Sequence, residues 1–368
     1  MKNLFTTRNL IVAVGILVLL VGGVIWYLTL PKGAGEEKRS FGEFLSDIFP
    51  GGGELELSEE EKRKLEELQN EGILPPGAPV EISDSFRLGP EVVSGATLAG
   101  DKIRYLERAT GHVFEMDLDG GRKTRLSNTT IPGIFEVVWS PKGDRAILKY
   151  LSGDDLNLLS APFTGSSTQG SFLPPDIKEV AFSPKGDRIA YAIPSGAETL
   201  VITATPDNKN QTVRFRSPFS SWKISWPEEN ILYLQTAASG HLAGFLYRIN
   251  LSSGAFSKIL GPKPGLVAAG NGTNILFSEA DINSRTILSS LVKLNDNTTT
   301  FLSLKTLPEK CAWSKQSKEL VFCATPLQFP SGVYPDDWYL GKVSLADAIL
   351  KINLSDQAVR PILIEEAP

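Results

Sequence analysis

The stretch "WSPKGDRAILKY", beginning at Trp139, returns 43 residues later as "FSPKGDRIAYAI", beginning at Phe182. Self-similarity at a fixed spacing is the mark of a repeat architecture, and it restricts the fold more than any bulk property does. The unit explains itself locally. In Ser140-Pro141-Lys142-Gly143, serine suits the first position of a type I turn, proline presets the backbone of the second, and glycine takes the last. An aromatic residue before the turn and alternating apolar residues after it read as two antiparallel strands of a hairpin. Equivalent turns fall at Gly100-Asp101, Gly143-Asp144, Gly186-Asp187, Glu229-Asn230, Thr273-Asn274 and Lys318-Glu319. Each precedes a β run: "KIRYLE", "RAILKY", "RIAYAI", "ILYLQT", "ILFSEA" or "LVFCAT". Trp139, Phe182, Trp226 and Trp313 mark the strand before the turn. Six units of about 43 to 45 residues therefore fill 91–365, and several short strands per unit exclude helical solenoids.

The segment "GHVFEMDLDGGRKTRLSN", starting at Gly111, together with the two dodecapeptides, resembles the TolB-type, WD-repeat-like β-propeller. The resemblance implies that a strand, a "DG" turn and an "LS" ending close one four-stranded blade, and that "WSP" opens the next. It covers about three quarters of the chain and fades in the fourth to sixth units, where "SWPEEN" and "AGNGTN" replace the motif. Six blades lie within the usual range, and a closed ring removes most exposed strand edges. The last outer strand comes either from "VEISDSF" at 80–86 or from "AVRPILIEE" near the carboxy terminus.

Ahead of the repeats, 10–30 is a run of 21 residues without a charge, about 31 Å long as a helix. Trp26 and Tyr27 near its end suit a membrane interface. A cleaved signal peptide is the rival, but the run is long for one and no small-x-small site follows it. It is read as an uncleaved anchor in the lipid bilayer, with 1–9 as a cytoplasmic tail and the bulk of the chain outside the cytoplasm. The flanking positive charges, Lys2 and Arg8 against Lys32, Lys38 and Arg39, leave the orientation nearly tied. Between 31 and 79, "FGEFLSDIF" carries an apolar helical face, "SEEEKRKLEELQNEG" reads as a solvated helix capped by Ser58 and Glu61, and "LPPGAP" is a stiff spacer. This is a stalk, and 80–368 is the propeller.

A net charge of -5 argues against a nucleic-acid-binding surface. The chain has two histidines, His112 and His241, and neither has another histidine or a cysteine near it in sequence. It lacks the nucleophile elbow, the zinc-protease helix, the P-loop and the C-x-x-C pair, so no cofactor, metal or catalytic residue is assigned. "DLDGG" at Asp117 is a β-turn rather than a calcium loop, since the later ligands are missing. The N-x-S/T triplets are assigned no glycan. Lysines and arginines recurring at the hairpin turns, Lys102, Lys142, Arg145, Lys185, Arg188, Lys315 and Lys318, are read as solvated turn charges.

Two features remain. Cys311 and Cys323 flank the last hairpin turn and face each other to within one residue, forming a disulfide in an oxidising compartment or two small thiols in a reducing one. The sixth unit also carries "PLQFPSGVYPDDWYLGKVSL" at 326–345, far longer than the equivalent link elsewhere. Its Phe329, Tyr334, Trp338 and Tyr339, with Asp336 and Asp337, either form a recognition patch for a protein or glycan, or fold over the central funnel and seal the ring. The expectation is an all-β, six-bladed propeller of four-stranded antiparallel blades behind one transmembrane helix and a short helical stalk. Its expected role is binding or scaffolding in the cell envelope, with a propeller hydrolase or sensor acting on envelope glycans or peptides as the rival.

Overall fold

The computed structural model describes residues 88–163, 170–281, 283, 285–302, 304–326, 328–355 and 358–364, together with Arg63 and Glu66, both helical. All of these lie in the second of two compact units, Arg63–Pro368. The expected membrane span at 10–30, the stalk apart from those two residues, and "VEISDSF" lie outside the described residues. Among the described residues no helix is long and apolar enough to cross a membrane.

Among the described residues, twenty-four strands form six four-stranded antiparallel sheets, each a meander of consecutive strands. Blade one is β1 (Val93–Ala99), β2 (Lys102–Glu107), β3 (Val113–Asp117) and β4 (Thr124–Arg125). Blade two is β5 (Ile134–Trp139), β6 (Arg145–Ser152), β7 (Asp155–Pro162) and β8 (Ser171–Leu173). Blade three is β9 (Glu179–Phe182), β10 (Ile189–Ser195), β11 (Glu198–Ala204) and β12 (Thr212–Ser217). Blade four is β13 (Trp222–Glu228), β14 (Ile231–Thr236), β15 (Ala243–Asn250) and β16 (Phe256–Pro264). Blade five is β17 (Val267–Gly270), β18 (Asn274–Asp281), β19 (Thr286–Lys293) and β20 (Thr298–Leu302). Blade six is β21 (Cys311–Trp313), β22 (Leu320–Pro326), β23 (Asp347–Asn353) and β24 (Ala358–Ile364). Each of the six turns read from the sequence joins the first two strands of a blade. The outer strand of blade six comes from the carboxy-terminal segment, so every blade is built from one continuous stretch of chain.

The duplicated dodecapeptide is a duplicated hydrogen-bond network. Gly143 N–H donates to the Ser140 carbonyl, closing the turn, while Arg145 N–H donates to Ser140 Oγ, which in turn donates to Asp144 Oδ1 (2.7 Å). Gly186, Arg188, Ser183 and Asp187 repeat all three bonds, the last at 2.8 Å. Gly143 has φ +69, and a Cβ there would lie 2.9 Å from the Ala99 Cβ of blade one, so glycine serves both the turn and the close approach. These turns meet on one face of the ring. Arg104 reaches the Gly143 carbonyl, Lys185 pairs with Glu229, Lys318 pairs with Glu228, and Lys315 donates to the Pro141 carbonyl.

First strands of neighbouring blades touch, β1 on β5, β5 on β9 and β9 on β13, so they line the central axis. Apolar side chains are buried chiefly between blades. Leu106 and Ile134 join blades one and two, Ile147 and Tyr191 join two and three, and Ala192 and Trp226 join three and four. Tyr233 and Phe277 join four and five, and Leu291 and Leu350 join five and six. This is the alternation of each strand put to use: one set of side chains serves one neighbour, the next set serves the other.

Candidate functional site at the funnel mouth

Each first strand runs from one face of the ring to the other, so the face opposite the hairpin turns gathers the starts of the first strands and the loops between second and third strands. The long connection of blade six is such a loop. It contains one helical turn, α1 (Asp336–Tyr339).

Its expected recognition residues divide sharply. Tyr334 is 1% exposed and packs with Val267, Ile287 and Leu307, with Phe329 and Trp338 against the same cluster. The Phe329 and Tyr334 rings meet edge to face at 4.4 Å, and the Tyr334 hydroxyl donates to the Pro330 carbonyl. Asp336 Oδ2 accepts the Gly240 N–H of blade four (2.7 Å). Asp337 accepts the Val333 N–H and the Lys342 ammonium, and these donors hold its carboxyl below its ordinary value. Thus Phe329, Tyr334 and Trp338 fix the insertion to blade five, while Asp336 and Asp337 satisfy donors. Tyr339 alone among the loop's aromatics is exposed. An aromatic patch open to a partner is narrowed to that one ring.

Tyr339 leans over the axis. Its hydroxyl donates to Glu309 Oε2 (2.9 Å), and Glu309, in the short 3-10 turn before β21, also pairs with Lys223 at the start of β13. Across the mouth, Lys149 pairs with Glu136 of β5 (2.8 Å) and donates to the Lys178 carbonyl (3.3 Å). Lys149 is only 5% exposed, so its ammonium depends on these partners. Glu179, the first residue of β9, stands between the two pairs. Its carboxylate takes no hydrogen bond or ion pair among the described residues. Burial pushes the Glu179 carboxyl up, against the pull of Lys149 and Lys223 and with a push from Glu136. Burial likewise lowers the Lys223 ammonium, although Glu179 and Glu136 favour its charge. The Tyr339 phenol is pushed up to about 12 by burial, with Asp336 and Glu179 adding to it. Nearly half of this residue's surface is open (48%), but its hydroxyl is aimed at the largely enclosed Glu309, and it is the hydroxyl that titrates. Buried and paired charges converging at one mouth make this a candidate functional site.

Of these six residues only Tyr339 was singled out in the sequence, although three of the others carry a signal there. Glu136-Val137-Val138-Trp139, Glu179-Val180-Ala181-Phe182 and Lys223-Ile224-Ser225-Trp226 each put a charge three residues before the aromatic that marks the turn. Lys149, Glu309 and Tyr339 fall outside that repeat position, and only the ring brings them in. Elsewhere, the sequence candidates have ordinary roles. Cys311 and Cys323 are partners in the β21–β22 register and form a disulfide. His112 is half-buried and its Nε2 lies 3.2 Å from Thr130 Oγ1. Among the described residues no group of three or more His, Cys, Asp or Glu is placed to hold a metal ion.

No protein-family model matches the chain, and no curated protein matches it. Solved structures share its fold. TolB from Acinetobacter baumannii superimposes with a TM-score of 0.50 at 12% identity, over 73% of this chain and 65% of that chain. An oligogalacturonate lyase from Vibrio parahaemolyticus gives 0.54 at 9% identity, over 78% of this chain and 84% of that one. A prolyl endopeptidase gives 0.53 at 12% identity, over 75% of this chain and 42% of that one. The chain thus spans just under two thirds of the TolB structure's length. At these identities the likeness is one of fold, that of TolB-like β-propellers, which binding proteins and enzymes both use.

Proposed function

We propose that this propeller is a protein-binding or scaffolding module that docks partners on the face bearing the funnel mouth and the blade-six insertion. The observation that carries the proposal is an exposed apolar rim around the charged centre. Val92, Phe135, Phe219, Leu242, Tyr339 and Leu340 are large, exposed and apolar, and all stand on that face. The turns between first and second strands on the opposite face carry no apolar side chain larger than proline, although that face also exposes Leu98, Leu118, Val213 and Phe256. Apolar side chains ringing a charged centre are the composition of an interaction surface and cost solubility if left bare. The uncharged run at 10–30 would hold the propeller at a bilayer in the cell envelope, with the binding face outside the cytoplasm.

The test is co-purification from envelope extract by the full chain in detergent. Replacing Phe219 and Leu340 by serine is expected to lose the captured protein, while replacing Lys142 and Lys185 by serine is not. If both pairs of substitutions keep it, or only the second loses it, the binding face has been assigned to the wrong side.

A second reading draws on Glu179. A carboxyl raised by burial, beside a second carboxylate and a lysine lowered by burial, is the equipment of general acid–base catalysis. Lyases and peptidases among the structures sharing the fold keep this reading open. Turnover of an envelope glycan or peptide that is abolished in Glu179→Gln would favour it over binding alone.

A further inference from the structure

The charges at the mouth do not balance, and the imbalance identifies what the site is built to receive. Glu136 has Lys149, and Glu309 has Lys223 and the Tyr339 hydroxyl. Glu179 has neither hydrogen bond nor ion pair, and both neighbouring ammonium groups are already held by other carboxylates. One negative charge is therefore left over in a site enclosed enough to penalise it. Its place is as fixed as a strand can make it. Glu179 opens β9, whose four residues pair in register with β10 from Phe182↔Ile189 to Glu179↔Ala192. Val180 and Phe182 of the same strand are buried between blades two and three. That register fixes the Cα of Glu179 and the side of the strand from which its side chain leaves.

We propose that Glu179 is the seat for a cationic side chain, the ammonium of a lysine or the guanidinium of an arginine, presented by the partner protein that docks on this face. The inference rests on the interaction-face reading above and supplies the chemistry of its centre. Three features favour this occupant over a neutral or acidic one. An incoming cation completes a third ion pair in a cluster that already holds two, whereas an incoming carboxylate would meet three glutamates. Its methylenes would run past the open face of the Tyr339 ring, where a cation also gains from the aromatic quadrupole. The exposed Phe135 beside Glu136 and the exposed Phe219 shortly before Lys223 give apolar contact on both sides, so the expected segment is a basic residue flanked by apolar ones.

The probe is a library of random hexapeptides displayed on phage, selected on the full-length chain in detergent micelles and on its Glu179→Gln and Lys223→Gln variants. The thermal transition of each variant is checked first. The parent is expected to enrich lysine or arginine at one position about tenfold over the input, next to apolar residues. Glu179→Gln, which keeps the shape and removes the charge, is expected to lose that preference while still retaining apolar peptides. Lys223→Gln, which frees a second carboxylate, is expected to strengthen it. If peptides are enriched without a basic residue, or if Glu179→Gln keeps the basic preference, the cation seat is wrong while the interaction face stands. If no peptide is enriched on the parent, the interaction face itself fails, and the cation seat fails with it.

Discussion

At the scale of single residues, the account rests on groups that the fold holds against their own preference. Glu179 is the clearest. Its carboxyl sits above the ordinary value because burial outweighs the two lysines nearby. The folded chain therefore binds that proton more tightly than the unfolded chain does. The stability linked to it is complete below the ordinary carboxylate pKa and is lost as pH rises through the folded value. Glu179→Gln escapes the loss: its midpoint in urea is expected to match the parent's in acid and to exceed it at neutral pH. A midpoint lower than the parent's at neutral pH would mean that the carboxylate is stabilising and already satisfied. Tyr233 provides a second case without a functional role. It is 2% exposed, its hydroxyl is buried with no hydrogen-bond partner among the described residues, and burial raises the phenol to about 12. Tyr233→Phe removes an unsatisfied polar group without changing the packing, so its thermal midpoint is expected to hold or rise. A loss of more than about 1 kcal/mol would show that the hydroxyl has a partner.

At the scale of elements, the most legible parts were those where local chemistry and tertiary contact agree. Ser140-Pro141-Lys142-Gly143 encodes its turn in every position, and all six first hairpins follow from such cues. The outer strands do not, because β4 is only Thr124–Arg125 and both residues are exposed. A strand with no buried face leaves no period to read. The insertion was visible by its length but not by its orientation. Nothing local in "VYPDDWY" says that Tyr334 turns in and Tyr339 turns out, because that is decided by Gly240 and Gly265 on other blades. A Cβ on either would stand 2.7 Å from the Tyr334 carbonyl oxygen. Gly240→Ala is expected to cost about 1–3 kcal/mol, to shift the Trp338 fluorescence, and to weaken binding on this face, since the insertion cannot then seat. An unchanged spectrum and melting point would indicate that the loop is not docked there. The disulfide is a separate brace. Cys311 and Cys323 are 12 residues apart in sequence, and opening so short a loop is expected to cost about 2–3 kcal/mol. Melting the chain with and without reductant, alongside a thiol count, measures this. Equal midpoints with two titrated thiols would remove the brace from the account.

At the scale of the whole molecule, the ring is what creates the site. Repetition puts a charged residue at the start of the first strand in blades two, three and four, and closure points those starts at one axis. A non-repeating residue then enters from each of β6, the turn before β21 and the insertion. No linear motif records this, because the six contributors span Glu136 to Tyr339. The same closure brings exposed aromatic and aliphatic side chains around that charged mouth, and this rim is the basis of the functional proposal. It is tested most directly in living cells by placing a photo-crosslinking amino acid at Phe219 or Tyr339 on one face, and at Lys142 or Lys185 on the other. The account predicts discrete adducts with another protein from positions 219 and 339 and none from 142 and 185. Adducts confined to the hairpin-turn face, or equal from both, would contradict it.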